Sequence, residues 1–499
     1  MSLYETLADE IAKSIATGVL RAGDKLPSVR DACSARGVSP STVFQAYYLL
    51  EARGLVRAQP RSGYYVNAPA ESLPPEPGAS CPDGESTELA ISERIFDILD
   101  SVRNRDVVPL GSAFPSALLF PLPRLAQAMA AHLKRQDPRD TVDDLAPGNP
   151  RLRRQIALRY LIGGINLSAN DIVVTNGALE ALNLCLQAVT QPGDTVIVEA
   201  PTFYGALQAL ERLGLKALEV PTHPRTGIDL AAMEAAIERH APRACWLMTQ
   251  FQNPLGSLMP DEKKRQLVEL LARHDIPLIE DDVYGELYFG PARPVPAKAY
   301  DTRGLVLHCS SFSKCLAPGY RIGWASAGRY AQRVQRLKLS STLSASGPAQ
   351  GAIAEYLEQG GYDRHLRRLR ETLQTQQERM ADAIAHEFPA GTRVTRPQGG
   401  FFLWLELPAA VDALALHRQA LARGISVAPG PIFSASGQFA SALRLNYGHP
   451  WDARTESAIR VLGELAREAC SPAARARQRD GALRGTQSQP TPRAPARGT

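Results

Sequence analysis

The sequence lacks the features that mark membrane and secreted proteins. No uninterrupted apolar stretch approaches the ~18 residues that cross a bilayer, and the N-terminus, MSLYETLADEIAKSIA, is charged rather than signal-like. Seven cysteines form no C-x-x-C pair and no regular framework, which argues against a zinc ribbon and a disulfide scaffold. We therefore expect a cytoplasmic protein with no membrane partner and no metal site.

A strong net charge is also missing. The 499 residues include 56 Lys or Arg and 51 Asp or Glu, which leaves a formal net charge of +5. The chain as a whole does not indicate nucleic-acid binding, so that function has to come from a local motif. The length predicts two or three domains, and a hydrophobic content of 44% is enough to fill their cores.

Composition divides the chain into a head and a body. The segment NAPAESLPPEPGASCPDGEST lacks periodicity and predicts a linker over 67–89, between a head at 1–66 and a body at 90–470. The end of the chain, 471–499, is rich in Ala, Arg, Pro and Gln and predicts a disordered basic tail.

The body has the pattern of an α/β fold. From Asp171 to about Ala327, short apolar runs such as DTVIVEAP and IPLIEDD alternate with longer helical patterns. Such alternation predicts a mainly parallel central sheet covered by helices. Beyond it, Tyr356 to Glu387 predicts one long charged helix, and GGFFLWLELP and LRLNYGHP predict strands of a small C-terminal α+β subdomain.

The head has the pattern of a winged helix-turn-helix. A capping box of Ser2 and Glu5 starts the first helix, and two further helices are predicted in LPSVRDACSARG and VSPSTVFQAYYLLEARG. The runs LVRAQ and YYV flank PRSG and predict a hairpin, or wing, whose tip carries Arg57 and Arg61.

Over nearly its whole length, the head resembles the GntR-type winged helix. The resemblance implies that Arg30 of the LPxxR motif contacts DNA phosphate, that the second of the two short helices enters the major groove, and that the wing reaches the minor groove. The residues that it assigns to DNA are Arg30, Ser39, Ser41, Thr42, Gln45, Arg57 and Arg61. Small polar side chains at a helix N-terminus suit contacts to phosphates and base edges, and arginines add backbone affinity.

Two positions of the head depart from that family. Pro40 and Phe44 stand where many members carry Arg, so the preferred operator does not carry over. The alternative interpretation is a protein-docking head whose arginines are solvated surface charge.

Polar residues follow three predicted strands of the body. TNGALEAL opens a helix, so the backbone N–H groups of Gly177 and Ala178 can face an anion. EDDVYGELY places Asp281 at the end of one strand, and SSFSKCLAPGYRIGW places Lys314 after another. Open α/β sheets bind their ligands at these strand ends.

Together, these segments resemble the fold-type I aminotransferases, and with the head they resemble the MocR-type regulators from about Ala90 to Ala469. The resemblance implies pyridoxal phosphate (PLP) held as a Schiff base on Lys314. It assigns the cofactor to Gly177, Ala178, Phe203, Asn253, Asp281, Tyr284, Ser311, Lys314 and Arg321, with Lys314, Asp281 and Tyr284 in catalytic roles.

In that family, Asp281 would keep the pyridine nitrogen protonated, which makes the cofactor an electron sink. Asn253 and Tyr284 would bind the phenolate oxygen, and Phe203 would stack on the ring. Arg444 would bind a ligand carboxylate through two parallel hydrogen bonds, which implies an amino-acid-like ligand.

Two departures argue against efficient turnover. Relatives commonly carry Ser or Thr where Ala178 stands, and DDLAPGNPRLRRQIA lacks the tyrosine that enzymes of this type place before its Gly. Cofactor binding does not depend on either group.

Three functions remain open. The first is a PLP-dependent transcriptional regulator in which a small amine or amino-acid effector exchanges with Lys314 and shifts the domain arrangement. The resemblance implies a homodimer, with each head packed on the partner subunit and two heads on a double-stranded DNA operator. The second is a functional aminotransferase with a DNA-binding head, and the third is a degenerate body that serves only for dimerisation.

Overall fold

The computed structural model describes residues 3–17, 19–20, 24–52, 55–59, 63–66, 73–100, 106–137, 139 and 145–471. The chain divides into two compact units, Met1–Leu73 and Pro74–Thr499, which we call the head and the body.

The head is a winged helix-turn-helix, as predicted. Its elements are α1 (Leu3–Ala16), α2 (Val29–Arg36), α3 (Pro40–Ala52), β1 (Val56–Gln59) and β2 (Gly63–Val66). Val43, Tyr47 and Leu50 point from α3 into a small core, and this fixes which face of α3 is exposed. Gly37 ends α2 with φ 64°, a left-handed conformation that favours glycine. Ser2 of the predicted capping box lies outside the described residues.

The wing is an antiparallel hairpin of β1 and β2. Arg57 lies opposite Tyr65 within the ladder, so its predicted place at the hairpin tip is wrong. The reason is that β1 continues past Arg57 to Gln59. Arg61 and the side chain of Arg57 lie outside the described residues.

The helices of the body are α4 (Ser92–Asp100), α5 (Leu122–Arg135), α6 (Pro150–Ile162), α7 (Ala178–Val189), α8 (Tyr204–Arg212), α9 (Leu230–His240), α10 (Asp261–Arg273), α11 (Ala331–Ser341), α12 (Gly347–Glu358), α13 (Tyr362–Glu387), α14 (Ala413–Ala422) and α15 (Ala453–Cys470). Its strands are β3 (Ser86–Thr87), β4 (Val108–Pro109), β5 (Ile172–Thr175), β6 (Thr195–Ala200), β7 (Lys216–His223), β8 (Gly227–Ile228), β9 (Ala244–Leu247), β10 (Leu278–Asp281), β11 (Val306–Ser311), β12 (Gly323–Ser326), β13 (Arg393–Val394), β14 (Phe402–Glu406), β15 (Ile425–Ser426), β16 (Ala428–Pro429) and β17 (Ala442–Asn446).

The main sheet has the strand order β3-β7-β6-β9-β10-β11-β12-β5. The five neighbouring strands β7, β6, β9, β10 and β11 run parallel to one another, and β12 is antiparallel to both of its neighbours. β9 and β10 are buried at every position, as expected of strands that are covered on both faces. Because β10 and β11 are parallel neighbours, their carboxyl ends bring Asp281 and the loop that carries Lys314 to the same edge.

The C-terminal part of the body contains a second sheet of strand order β13-β14-β17-β16, next to α14 and α15. Arg444 lies on β17, opposite Trp404 of β14 and Ala428 of β16. This agrees with the predicted α+β subdomain and places Arg444 on a central strand.

Two boundaries differ from those expected. The single helix predicted over 356–387 is wrong, because Gly360 adopts φ 71° and separates α12 from α13. The segment expected as a linker joins the body from Pro74 onward, since β3 pairs with β7 and the Ser80 hydroxyl donates to the Ala200 carbonyl. Residues 67–72 of that segment, and 472–499 of the predicted tail, lie outside the described residues.

Candidate functional site

Lys314 lies in the loop after β11, where it is half-buried and lines a cavity. Its Nζ donates a 2.7 Å hydrogen bond to the Ala113 carbonyl and lies 3.6 Å from the centre of the Phe114 ring. Burial lowers the pKa of Lys314 to about 7, and the positive charge of Arg444 lowers it further while Asp281 opposes both. A large fraction of this amine is therefore neutral near pH 7, the form that attacks a carbonyl.

Asp281 is the last residue of β10 and lines the same cavity. Burial raises the pKa of Asp281 to about 7, the neighbouring Asp282 raises it further, and Lys314 opposes the increase. Its Oδ1 is buried without a hydrogen-bond partner among the described residues. A protonated ring nitrogen would satisfy this oxygen and stabilise the carboxylate.

A buried polar network fixes the strand behind Asp281. His308 of β11 bridges Glu280, at 2.8 Å from Nδ1, and the hydroxyl of Tyr160, at 2.6 Å from Nε2. Although burial opposes it, hydrogen bonds from His308 and Thr249 lower the pKa of Glu280 to about 2. These contacts hold β10 against β11 and α6, so they keep Asp281 in place.

The phosphate end of the cavity forms where α7 begins. Gly177 precedes α7 with φ 84°, and no side chain caps the helix. A Cβ on Gly177 would lie 2.4 Å from Nη2 of Arg321, so the glycine leaves room for the guanidinium. Arg321 also donates to the Ser313 hydroxyl at 3.2 Å. Ala178 contributes main chain only, and the uncapped helix start and Arg321 together suit a phosphate dianion.

Ser311 and Ser313 both line the cavity, on the same side of Lys314 in sequence. Ser311 ends β11, and its Oγ accepts the Ser313 N–H at 3.3 Å. Ser313 was missed by the sequence analysis, although the motif SSFSK offers it directly before the lysine. The two hydroxyls and Arg321 would hold the cofactor phosphate.

Phe203, Asn253 and Tyr284 are the residues predicted to contact the cofactor ring. Phe203 precedes α8 and lines the cavity with Tyr284. Burial raises the pKa of Tyr284, so its hydroxyl is protonated, and Asn253 lies within hydrogen-bond range of it. That the two groups bind one ring oxygen stays a prediction.

Arg444 is fully buried and held by main chain and side chain. Its Nη2 donates to the Gly111 carbonyl at 2.7 Å, its Nη1 donates to Asn253 Oδ1 at 3.1 Å, and its guanidinium lies 4.2 Å from the Phe402 ring centre. Arg444 therefore contacts the carbonyls of Gly111 and Ser112, and Lys314 contacts the carbonyl of the next residue, Ala113. A carboxylate that binds Arg444 would replace these carbonyl contacts.

The cavity has a volume of about 260 Å³ and brings most of the predicted cofactor residues together. Its lining includes Ala178, Phe203, Asp281, Tyr284, Ser311, Lys314 and Arg321. Gly177, Asn253 and Arg444 do not line the cavity. Gly177 lies against Arg321, Asn253 lies next to Tyr284, and Arg444 donates to Asn253. Phe114 and Gln208 also line it and were not predicted, because neither stands in a motif. A buried carboxylate with one oxygen unpaired among the described residues, a lysine of lowered pKa and an anion cup line one cavity, and this set fits pyridoxal phosphate.

The head presents its own candidate site on α3. Ser39 caps this helix, since its Oγ accepts the Thr42 N–H at 3.2 Å and lies 2.8 Å from the hydroxyls of Ser41 and Thr42. Ser41 and Gln45 are exposed, and Arg30 is exposed on α2. The predicted readers therefore share the solvent face of α3, with Ser39 in a capping role as well.

Two aromatic residues on the same face were not among the residues predicted to contact DNA. Phe44 is 46% exposed and Tyr48 is 64% exposed, in line with Ser41 and Gln45. Their spacing of four residues, out of phase with buried Val43 and Tyr47, is the signal that could have found them.

Within the described parts of the chain, no group of three or more His, Cys, Asp or Glu is arranged to hold a metal ion. No helix in these parts is both long and apolar enough to span a bilayer.

Comparison with known proteins gives two family matches. Residues 3–66 match the bacterial regulatory proteins of the gntR family, and residues 105–462 match aminotransferase class I and II. The chain is 49% identical over 468 residues to the "Uncharacterized HTH-type transcriptional regulator YdcR" of Escherichia coli (strain K12), covering 94% of this chain and 100% of that protein. It is 39% identical over 464 residues to YjiR of the same organism, which carries the same description, covering 93% and 98%.

The fold of the body is also found in solved structures. The α-aminoadipate aminotransferase LysN from Thermus thermophilus, complexed with N-(5'-phosphopyridoxyl)-L-leucine, superposes with a TM-score of 0.68 at 30% identity. The match covers 77% of this chain and 99% of that one.

Proposed function

This chain belongs to the aminotransferase class I and II family and carries a gntR-family DNA-binding head, and from that membership we propose how it senses its ligand. It is a transcriptional regulator with an aminotransferase-like domain for pyridoxal phosphate. We propose that Lys314 is the sensor. The observation that carries this proposal is a half-buried Lys314 of lowered pKa in one cavity with Asp281, whose Oδ1 has no hydrogen-bond partner among the described residues, in a chain whose head matches the gntR family.

The residues of the cavity have separate tasks. Lys314 would attach the cofactor, Asp281 would hold a proton on the ring nitrogen, and Arg321 with Ser311 and Ser313 would hold the phosphate. When bound, the cofactor supplies a carbonyl carbon that exchanges one amine for another and a ring that withdraws electrons. Asn253 and Tyr284 would orient the ring oxygen.

Arg444 would select the effector. A buried guanidinium binds a carboxylate by two parallel hydrogen bonds, so an amino acid is favoured over a simple amine. Its binding would displace Lys314 and withdraw Arg444 from the carbonyls of Gly111 and Ser112. The segment 111–114 is therefore the first part of the body that an effector would move.

We further propose a cytoplasmic homodimer that presents two heads to two half-sites of a DNA operator. Two-fold symmetric reading of DNA is the usual arrangement for helix-turn-helix proteins. An effector would act by binding one arrangement of heads and bodies better than another.

A working aminotransferase is the second candidate, because Lys314 and Asp281 line one cavity and the charge of the buried Arg444 acts on Lys314. Multiple-turnover assays with an amino donor and a 2-oxo acid acceptor test it. The absence of a tyrosine before Gly148 favours one-turnover exchange, whereas sustained turnover would promote the enzyme function.

The experiment for the regulator is a DNase footprint near the protein's own gene, with and without pyridoxal phosphate, for the wild type and Lys314→Ala. We expect a protected site whose extent or affinity changes with the cofactor in the wild type only. If no DNA is protected under any condition, the chain does not act as this regulator.

A further inference from the structure

A second cleft lies on the body, away from Lys314. It has a volume of about 370 Å³ and lies between the start of α5 and the start of α13. We call it the arginine cleft and define it by Arg124, Tyr356, Arg364, His365 and Arg368.

The arginine cleft carries positive charge without compensation. None of the described residues that line it has a carboxylate, and none of its three arginines forms an ion pair with a described residue. Neighbouring arginines behave differently, since Arg151 pairs with Glu358 and Arg370 pairs with Glu286. Three like charges around one concave surface repel one another, and a bound anion would remove this repulsion.

Tyr356 supplies an independent indication of a ligand. The residue is 2% exposed, and its buried hydroxyl has no hydrogen-bond partner among the described residues. Burial raises the pKa of Tyr356 and the charge of Arg124 opposes this, so the hydroxyl is a neutral donor close to Arg124. A buried hydroxyl without an acceptor has lost its hydrogen bonds to water, and an anionic oxygen in the cleft would restore one of them.

The start of α13 adds to the positive potential. No side chain caps this 26-residue helix, and Arg364 and Arg368 lie one turn apart near its N-terminus. The helix dipole places partial positive charge at the same end. Phe120 and Leu369 form an apolar wall beside these cations.

We propose that the arginine cleft is a binding site for a small organic anion, a carboxylate or a phosphate ester with a compact apolar part. The arginines would bind its oxygens, the Tyr356 hydroxyl would donate to one of them, and Phe120 and Leu369 would pack on the apolar part. This site is separate from the cofactor cavity and does not depend on the role of Lys314 as a sensor.

His365 connects the arginine cleft to the cofactor lysine. Burial lowers the pKa of His365, and its Nε2 lies 2.7 Å from the carbonyl of Cys315, the residue after Lys314. A neutral ring donates this hydrogen bond from Nε2. An anion in the cleft would thus lie against a side chain that holds the peptide next to Lys314.

The test is isothermal titration of the full-length, cofactor-loaded protein with inorganic phosphate and, separately, with benzoate. Loading with pyridoxal phosphate occupies the phosphate cup at Arg321, so remaining phosphate binding reports another site. Benzoate could also bind Arg444, so its binding is assigned to the arginine cleft only by its loss in the cleft variants. Arg124→Gln and Arg368→Gln each remove one charge from the cleft, and Tyr356→Phe removes only the hydroxyl. Arg367→Gln is the matched control, because Arg367 is exposed on the same helix but lines a different cleft.

We expect one site per chain for at least one of the two anions. Removal of either arginine charge should weaken the affinity of this site for the anion about tenfold or more, and Tyr356→Phe should weaken it several-fold. These magnitudes are those usual for charge-assisted hydrogen bonds. The control should bind like the wild type, and thermal melts should show all variants folded. Absence of binding for both anions, or an equal loss in Arg367→Gln, would overturn the proposal, and neither outcome bears on Lys314 or on DNA binding.

Discussion

At the scale of single residues, burial moves two pKa values toward each other. It lowers the pKa of Lys314 and raises that of Asp281, each to about 7. Their ordinary values lie more than about 6 pH units apart. The amine and the carboxyl are therefore both close to half ionised at neutral pH, which prepares one for attack and the other for pairing with a cation.

The first prediction concerns the rate at which pyridoxal phosphate attaches to cofactor-free protein. The reactive amine is the neutral form, so the rate should rise about tenfold per pH unit below the lowered pKa of Lys314 and level off above about pH 7. Asp281→Asn removes a charge that raises the pKa of Lys314, so the attachment rate of this variant should level off at a lower pH. Stopped-flow absorbance measures both profiles, and a break near the ordinary lysine value of about 10 would contradict the account.

The second prediction concerns Gly177. In Gly177→Ala, the new Cβ would meet the Arg321 guanidinium at 2.4 Å and a φ of 84° would strain the backbone. We expect the affinity for pyridoxal phosphate to fall roughly 10–100-fold, because the displaced arginine loses hydrogen bonds to the phosphate. Gly164→Ala is the control, since Gly164 has φ 78° with open space around its Cβ position. Equal affinities in a fluorescence titration of the two variants would show that Arg321 does not hold the phosphate.

Much of this chemistry was predictable from sequence, and the exceptions have physical reasons. Lys314, Asp281 and Arg321 stand in motifs at strand ends, where chain order alone brings them together. Phe114 comes from a loop about 200 residues away in the chain, and only the folded body places its ring over Lys314. No local pattern encodes such a contact.

At the scale of elements, α3 determines what the head can read. Val43, Tyr47 and Leu50 are buried, so Ser41, Gln45 and the aromatic pair Phe44 and Tyr48 face outward. An aromatic edge suits the methyl group of thymine, whereas a glutamine amide suits adenine. The face therefore offers both polar and apolar side chains to a ligand.

The third prediction separates phosphate contacts from base contacts. Arg30→Ala should weaken binding to all DNA sequences alike. It should also reduce the steepness of the decline of log K with log salt concentration by about 1. Gln45→Ala should leave that slope unchanged and reduce the preference for the operator over random DNA by about 1–3 kcal/mol. Fluorescence anisotropy at several salt concentrations measures both quantities. If the two variants behave alike, the assigned roles are wrong.

Element boundaries were harder to predict than the elements themselves. The pattern of charges and leucines continues through 356–387, yet a left-handed Gly360 ends α12 and lets α13 start in a new direction. Similarly, the proline-rich segment after Pro74 lacks periodicity but pairs with β7 through two residues. Short pairings and single glycine conformations depend on tertiary contacts that sequence periodicity does not report.

At the scale of the whole molecule, the account requires coupling between the cofactor cavity and the head. Coupling of this kind is a free energy, usually about 1–3 kcal/mol, and it acts equally in both directions. If an amino acid at Lys314 changes the affinity for DNA, operator DNA must change the affinity for that amino acid by the same factor. A body that served only for dimerisation would show neither effect.

The most direct test of this coupling is the dissociation constant for operator DNA of the cofactor-loaded protein, measured with and without a saturating amino-acid effector. We predict a change of roughly 5–150-fold in the wild type and in Lys134→Ala, an exposed lysine of α5, and no change in Lys314→Ala. An effector response that persists in Lys314→Ala, or its absence in the wild type for every amino acid that alters the cofactor's absorbance, would contradict the role of Lys314 as the sensor.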